Sequence, residues 1–177
     1  PIVNGAALDG PTVFTDGSFS APKFPFYSLT KAGIWWPQRQ LSTAPLSQLE
    51  RDYTTDKQVA DGLELITFAT GPTSSSSRAE LLGLNAALFS GLPFFAALDS
   101  AVILRTAQQI IDHLSSHSNL SRHRARLPQS VADLPVIPTL RKQLAFMPNS
   151  DYWLIFWRAI VTRGVEGVRL KKTKGHA

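Results

Sequence analysis

Thr12-Val13-Phe14-Thr15-Asp16-Gly17-Ser18 places a carboxylate at the end of a run that otherwise suits a strand. Val, Phe and Thr favour a pleated, half-buried backbone, and alternation puts Val13 and Thr15 on one face with Phe14 and Asp16 on the other. Asp16 is therefore expected to project from the more apolar side. Asp-Gly is also the commonest hairpin-turn dipeptide, so on this stretch alone a turn acid serves equally well. The acids further along the chain decide between the two readings.

Working outward, Phe19 to Pro25 reads as a wide connection and Tyr27 to Trp36 as a second strand that Pro37 stops. Residues 37–61 show no sustained period and read as an insertion loop before a third strand over 63–70. Three strands in succession predict an antiparallel meander. Arg78 to Phe89 reads as a helix: Leu81, Leu84, Ala87 and Leu88 recur at helical spacing, Ser77 is a candidate N-cap, and Gly91 stands where a stop is expected. Phe94 to Leu98 is apolar on both faces, as buried parallel strands are, and ends in Asp99-Ser100.

Ser100 can cap a helix over 101–114 with Val102, Ile103, Ala107, Ile110 and Leu114 as its apolar stripe. Residues 115–135 form a loop region holding the basic cluster Ser121-Arg122-His123-Arg124-Ala125-Arg126, and a short helix is expected within 138–147. Trp153, Phe156, Trp157 and Ile160 fall at i, i+3, i+4 and i+7 of a helix over 151–163, capped by Asn149 or Ser150 and ended by Gly164. Residues 165–173 make a last strand. The expected fold class is α/β, with a five-stranded mixed sheet of three antiparallel strands and then two parallel ones, flanked by helices.

The 177 residues fit a single domain, long enough to bury a core without staples. With no cysteine there are no disulfides, no thiolate metal sites and no cysteine nucleophile, which suits a reducing, intracellular compartment such as cytoplasm or nucleus. No apolar run approaches the roughly 18 residues of a membrane span, and Pro1-Ile2-Val3-Asn4 lacks the layout of a signal peptide. A start without Met and an end at Gly175-His176-Ala177 are expected of a segment cut from a longer polyprotein. Residues 1–98 hold 6 basic against 8 acidic side chains, net −2, and residues 99–177 hold 12 against 5, net +7. A basic half of this kind fits a polyanion better than it fits solubility alone.

Asp16, Glu80 and Asp99 all lie at the ends of elements. Each has a plain structural explanation: a turn for Asp16, a capping box Ser77-x-x-Glu80 for the second, a helix start for Asp99. A short strand reached through a helical crossover can set Asp99 beside the strand of Asp16, and the start of the crossover helix can hang Glu80 over both. Converging carboxylates repel unless a cation sits among them, and an all-oxygen site suits Mg²⁺, which also binds phosphate oxygens.

Phe14-Thr15-Asp16-Gly17-Ser18, Ser77-Arg78-Ala79-Glu80-Leu81, Leu98-Asp99-Ser100 and Thr173-Lys174-Gly175-His176-Ala177 together resemble type I ribonuclease H, in the form carried by retroelement polyproteins. No single motif is specific; the four in this order are. The resemblance implies a nuclease that cuts the RNA strand of an RNA/DNA hybrid with two Mg²⁺ ions, Mn²⁺ being a substitute, in a polyprotein with partners such as reverse transcriptase. Asp16, Glu80 and Asp99 match the family's first three carboxylates and His176 its mobile-loop histidine. Gly17, Ser18, Ser77, Ser100, Arg122, Arg124, Arg126 and Lys174 are the matching candidates for substrate contact.

The chain also departs from the family pattern. The fourth carboxylate follows the Gly-His-Ala motif by several residues, whereas no Asp or Glu follows Glu166 here, so the resemblance implies a domain shortened at its C-terminal end. Ser76 and Ser77 replace a pair of Asn, and Ala101 replaces a Gln. A catalytically silent hybrid-binding or spacer domain of the same fold is the alternative, and a related polynucleotidyl transferase or exonuclease is disfavoured by the Asp-Gly-Ser and Gly-His-Ala motifs.

The charge distribution yields a first prediction. Hybrid binding weakens with salt, and the log–log slope flattens by about one unit for every phosphate that a cation no longer neutralises. Replacing Arg122, Arg124 and Arg126 together by Ala is expected to lower hybrid affinity and the slope in a filter-binding or anisotropy titration over salt. Unchanged values would show the cluster to be a solvated loop.

Overall fold

The computed structural model describes residues 10–20, 23, 28–70, 73–116 and 146–173. The strands are β1 (Val13–Ser20), β2 (Leu29–Pro37), β3 (Thr55–Val59), β4 (Gly62–Thr70), β5 (Phe94–Leu98) and β6 (Val168–Lys172). They form one six-stranded sheet in the order β3-β4-β2-β1-β5-β6. The helices are α1 (Gln48–Tyr53), α2 (Ser76–Leu88), α3 (Ala101–Ser116) and α4 (Ser150–Arg163). β1, β2, β4 and β3 pair antiparallel in succession, while β5 runs parallel to β1 and β6 parallel to β5.

The mixed, helix-flanked sheet agrees with the sequence pattern, but it has six strands rather than five. The extra strand lies in residues 37–61, which are not a plain loop: they contain α1 and β3. A buried ion pair organises them. The Arg39 guanidinium donates to both Glu50 carboxylate oxygens, at 2.6 and 3.0 Å, and to the carbonyls of Ala44 and Pro45. Glu50 also accepts the Ser47 N–H at 2.8 Å while Ser47 Oγ accepts the Glu50 N–H, a capping box around α1. Arg39 stacks over Trp36, its centre 5.2 Å from the ring. Gln58 ties β3 down by donating to the carbonyls of Arg39 and Gly62.

Alternation along β1 buries Val13 and Thr15 and exposes Phe14 and Asp16. The acid therefore sits on the more open face, opposite to the expectation, because the helices cover the Val13 face. α2 lies directly over β1 and β2: a Cβ at Gly83 would fall 3.1 Å from that of Ala32 and 3.4 Å from that of Thr15. Leu81, Leu84 and Leu88 of α2 join Val13, Ile34, Leu63 and Leu65 of the sheet in one core. The α4 stripe Trp153, Phe156, Trp157 and Ile160 is buried as its spacing predicts, and Arg163 at its end donates to the carbonyl of Leu88, the last residue of α2, and to that of Leu92 beyond it.

Three smaller expectations shift. α2 is capped by Ser75, whose hydroxyl accepts the Arg78 N–H at 3.1 Å, so Ser77 lies inside the first turn. With the cap at Ser75 the residue that would close a capping box is Arg78, and Glu80 is free for another partner. In α3, Ile111 joins the core and Val102 is exposed. The segment 165–173 opens with a single 3₁₀ turn, Val165–Gly167, before β6. The short helix expected within 138–147 falls largely outside the described residues, as do residues 117–145.

The Arg39–Glu50 pair is fully desolvated, with side chains 3% and 0% exposed. Removing one member of such a pair strands the other charge, at a cost of about 3–5 kcal/mol. Arg39→Met and Glu50→Gln are each expected to lose stability of that order in urea unfolding, and Arg39→Met with Glu50→Leu to lose less than either alone. Single variants within about 1 kcal/mol of wild type would show that the insertion is held by other contacts.

Candidate metal centre

Three acids converge. Asp16 comes from the middle of β1, Glu80 from the first turns of α2, and Asp99 directly follows β5. One carboxylate oxygen from each lies within 4.8 Å of the others. The adjacency of β1 and β5, registered by Val13 opposite Ala96 and Phe14 opposite Ala97, brings Asp16 and Asp99 to the same end of the sheet.

Glycine at position 17 lets Glu80 reach them. A Cβ there would lie 2.6 Å from the Ala79 carbonyl carbon and 2.9 Å from the Ala79 Cβ, so α2 rests on the bare backbone of β1. The Gly17 N–H donates to the Glu80 carboxylate. Gly17 thus seats the helix, a role its motif does not reveal.

The electrostatics are strained. Glu80 is buried, Asp99 half-buried and Asp16 exposed. Burial, then the charge of Asp99 and a hydrogen bond shared with it, push the Glu80 carboxyl up to about 8, with the Gly17 N–H opposing and Asp16 adding a little. Glu80 Oε2 and Asp99 Oδ1 are buried without a hydrogen-bond partner among the described residues. Buried polar atoms are nearly always paired. A cluster of three carboxylates, two of them with an oxygen that has no partner among the described residues, matches the donor set of a hard divalent cation.

The other candidates are distributed as follows. Ser18 is exposed on the same side of β1 as Asp16, and Ser77 is exposed in the first turn of α2. Ser100 Oγ accepts the Ile103 N–H at 3.4 Å, which caps α3 and leaves the hydroxyl proton free to donate. Arg122, Arg124, Arg126, Lys174 and His176 lie outside the described residues. Arg78 lies inside the motif around Glu80 but is not among the candidate site residues. It forms a forked ion pair with Asp151 of α4, and that hydrogen bonding holds the Asp151 carboxyl below the usual range. Its partner is 73 residues away in the chain, a tertiary contact without a local signature in the sequence.

A mixed sheet with this strand order, crossed by α2 and flanked by helices, is a ribonuclease H-like fold. Among solved structures the chain is similar to the solution structure of the PFV RNase H domain, with a TM-score of 0.52 and 13% identity, over 97% of this chain and 84% of that one. At that identity the likeness establishes the fold. No protein-family model matches the sequence, and no curated protein does. No described helix is long and apolar enough to cross a membrane.

The raised Glu80 carboxyl gives a pH dependence with a definite sign. The folded state holds this proton more tightly than the unfolded chain does, so its contribution to stability is complete below about 4.5 and is lost as pH rises through about 8. In chelator, the melting temperature is expected to fall across this window in wild type and to fall less in Glu80→Gln. Parallel curves for the two proteins would contradict the assignment of the proton to Glu80.

Proposed function

We propose that this chain is a metal-dependent ribonuclease H that cuts the RNA strand of RNA/DNA hybrids, working within a retroelement polyprotein beside a reverse transcriptase. The convergence of Asp16, Glu80 and Asp99 within 4.8 Å carries the reading. It is supported by the likeness in fold to an RNase H domain and by the net +7 of residues 99–177.

Asp16, Glu80 and Asp99 would hold two Mg²⁺ ions, with Mn²⁺ as substitute. When bound, these supply Lewis-acid polarisation of the scissile phosphate and water that is acidic enough to attack near neutral pH. Glu80, buried and oriented by the Gly17 N–H, gives the site a fixed, dry wall. Asp16, the exposed member, faces the side from which the polyanion arrives, and Ser18 stands beside it for a sugar or phosphate contact. Ser77 and Ser100 offer hydroxyls at the starts of α2 and α3. Arg122, Arg124, Arg126 and Lys174 would grip phosphates, positioning the duplex without reading its sequence, and His176 would pass a proton to the departing 3′ oxygen.

The test is cleavage of a labelled hybrid by the chain, and by a polypeptide extended beyond Ala177, in Mg²⁺ and in chelator. RNA-strand products that need Mg²⁺ and fall to background in a folded Asp16→Asn variant are expected. Cleavage that survives chelator or Asp16→Asn would overturn the metal-centre reading. Salt-sensitive hybrid binding with no cleavage by either polypeptide would favour the silent hybrid-binding alternative.

A further inference from the structure

The start of α2 is fixed at two points. Gly17 sets its height over β1, and Arg78, two residues before Glu80, sets its position against α4. Arg78 is held at both ends. Its backbone N–H donates to the capping Ser75 hydroxyl at 3.1 Å. Its guanidinium spans to the first turn of α4, where Nη1 donates to Asp151 Oδ1 at 2.9 Å and Nη2 to Oδ2. Nη1 also approaches Asn149 Oδ1 at 3.5 Å, and the guanidinium lies over the Tyr152 ring, 4.0 Å from its centroid. A planar, two-pronged and stacked contact fixes angle as well as distance, which a single ammonium does not.

As an ion pair this contact contributes little stability, because Asp151 is 55% exposed and solvent screens exposed pairs. Its geometry matters more. Two turns farther along α2, Asn85 Nδ2 donates to the Tyr152 carbonyl at 2.9 Å, a second bridge from α2 to the same first turn of α4. The two bridges serve the same helix pair, yet only one of them adjoins Glu80.

Resting on the metal-centre reading above, we propose that Arg78 is a positioning residue. The Arg78–Asp151 fork holds the first turns of α2 so that Glu80 meets Asp16 and Asp99 at ligand distance, and in this way it sets the affinity of the centre for divalent cations. Asn85 contributes to the helix pair alone.

The test is calorimetric titration of Mg²⁺ into the folded chain, paired with thermal melts, for wild type, Arg78→Met, Arg78→Lys, Asp151→Asn and Asn85→Ala. Removing a partner that orients a metal ligand typically costs 10–100-fold in metal affinity. Arg78→Met is expected to weaken Mg²⁺ binding about tenfold or more, and Arg78→Lys, which keeps one prong, to weaken it less. Asn85→Ala is expected to lower the melting temperature with Mg²⁺ affinity unchanged. Asp151→Asn leaves Arg78 in place and gives the same reading as Arg78→Met should that variant fail to fold. Mg²⁺ binding by the folded Arg78 and Asp151 variants at the wild-type level, or equal weakening in Asn85→Ala, would overturn the proposal. A wild type that binds no Mg²⁺ would instead overturn the metal-centre reading and the proposal with it, an outcome distinct from failure of the fork alone.

Discussion

The contact between the bare backbone of Gly17 and the first turns of α2 is the constraint from which the site follows. A helix normally stands off a sheet by the length of the side chains between them. At Gly17 there is no side chain, so α2 descends until the backbone of Ala79 and Glu80 touches β1. Glu80 is then carried to the level of Asp16 and Asp99. Any other residue at this position would lift the helix start, and the Glu80 carboxylate would rise with it.

Placing Glu80 there is unfavourable by itself, since a carboxylate loses hydration and meets like charge at the same time. The opposing contribution comes from the rest of the helix. Leu81, Leu84 and Leu88 are essentially inaccessible to solvent, and each large apolar side chain buried contributes about 1.5–3 kcal/mol. Behind them, α4 wedges Trp153, Phe156, Trp157 and Ile160 into the same core, with Trp153 and Phe156 edge to face at 5.7 Å. Helix and sheet thus form a frame around buried Glu80 and half-buried Asp99, where the unfavourable electrostatics gather and where a proton or a cation would relieve them.

Much of this is legible in the sequence because apolar periodicity is local. The stripes of α2 and α4 and the two-sided apolar β5 mark their elements directly, and element order then limits the topology. The path of the crossover is less direct than adjacency rules imply: the chain leaves β4 and lands beside β1, passing over β2 and β1 through α2. The face of Asp16 is not legible, because alternation gives two faces without saying which one the helices will cover. Residues 37–61 hide their structure for another reason. Ser47-Gln48-Leu49-Glu50 has the capping-box pattern, but the partner that makes α1 stable, Arg39, is a tertiary contact with no periodic signature. The same pattern at Ser77 and Glu80 forms no box. A motif of this kind reports an opportunity, and the surrounding charges decide whether it is taken.

Glu50 and Glu80 make that decision visible, since both are buried carboxylates near the start of a helix. Glu50 is met by a two-pronged guanidinium and a backbone N–H, so its charge is matched and its hydrogen-bond capacity is used. Glu80 is met by two further acids and one backbone N–H, and one of its oxygens is buried with no partner among the described residues. The first arrangement is complete as folded and can serve only to hold the insertion together. The second has no basic counterpart for Glu80 among the described contacts of that residue. Burial alone therefore does not mark a chemical site. The distinction lies in whether the contacts around the carboxylate supply the opposite charge, as Arg39 does for Glu50.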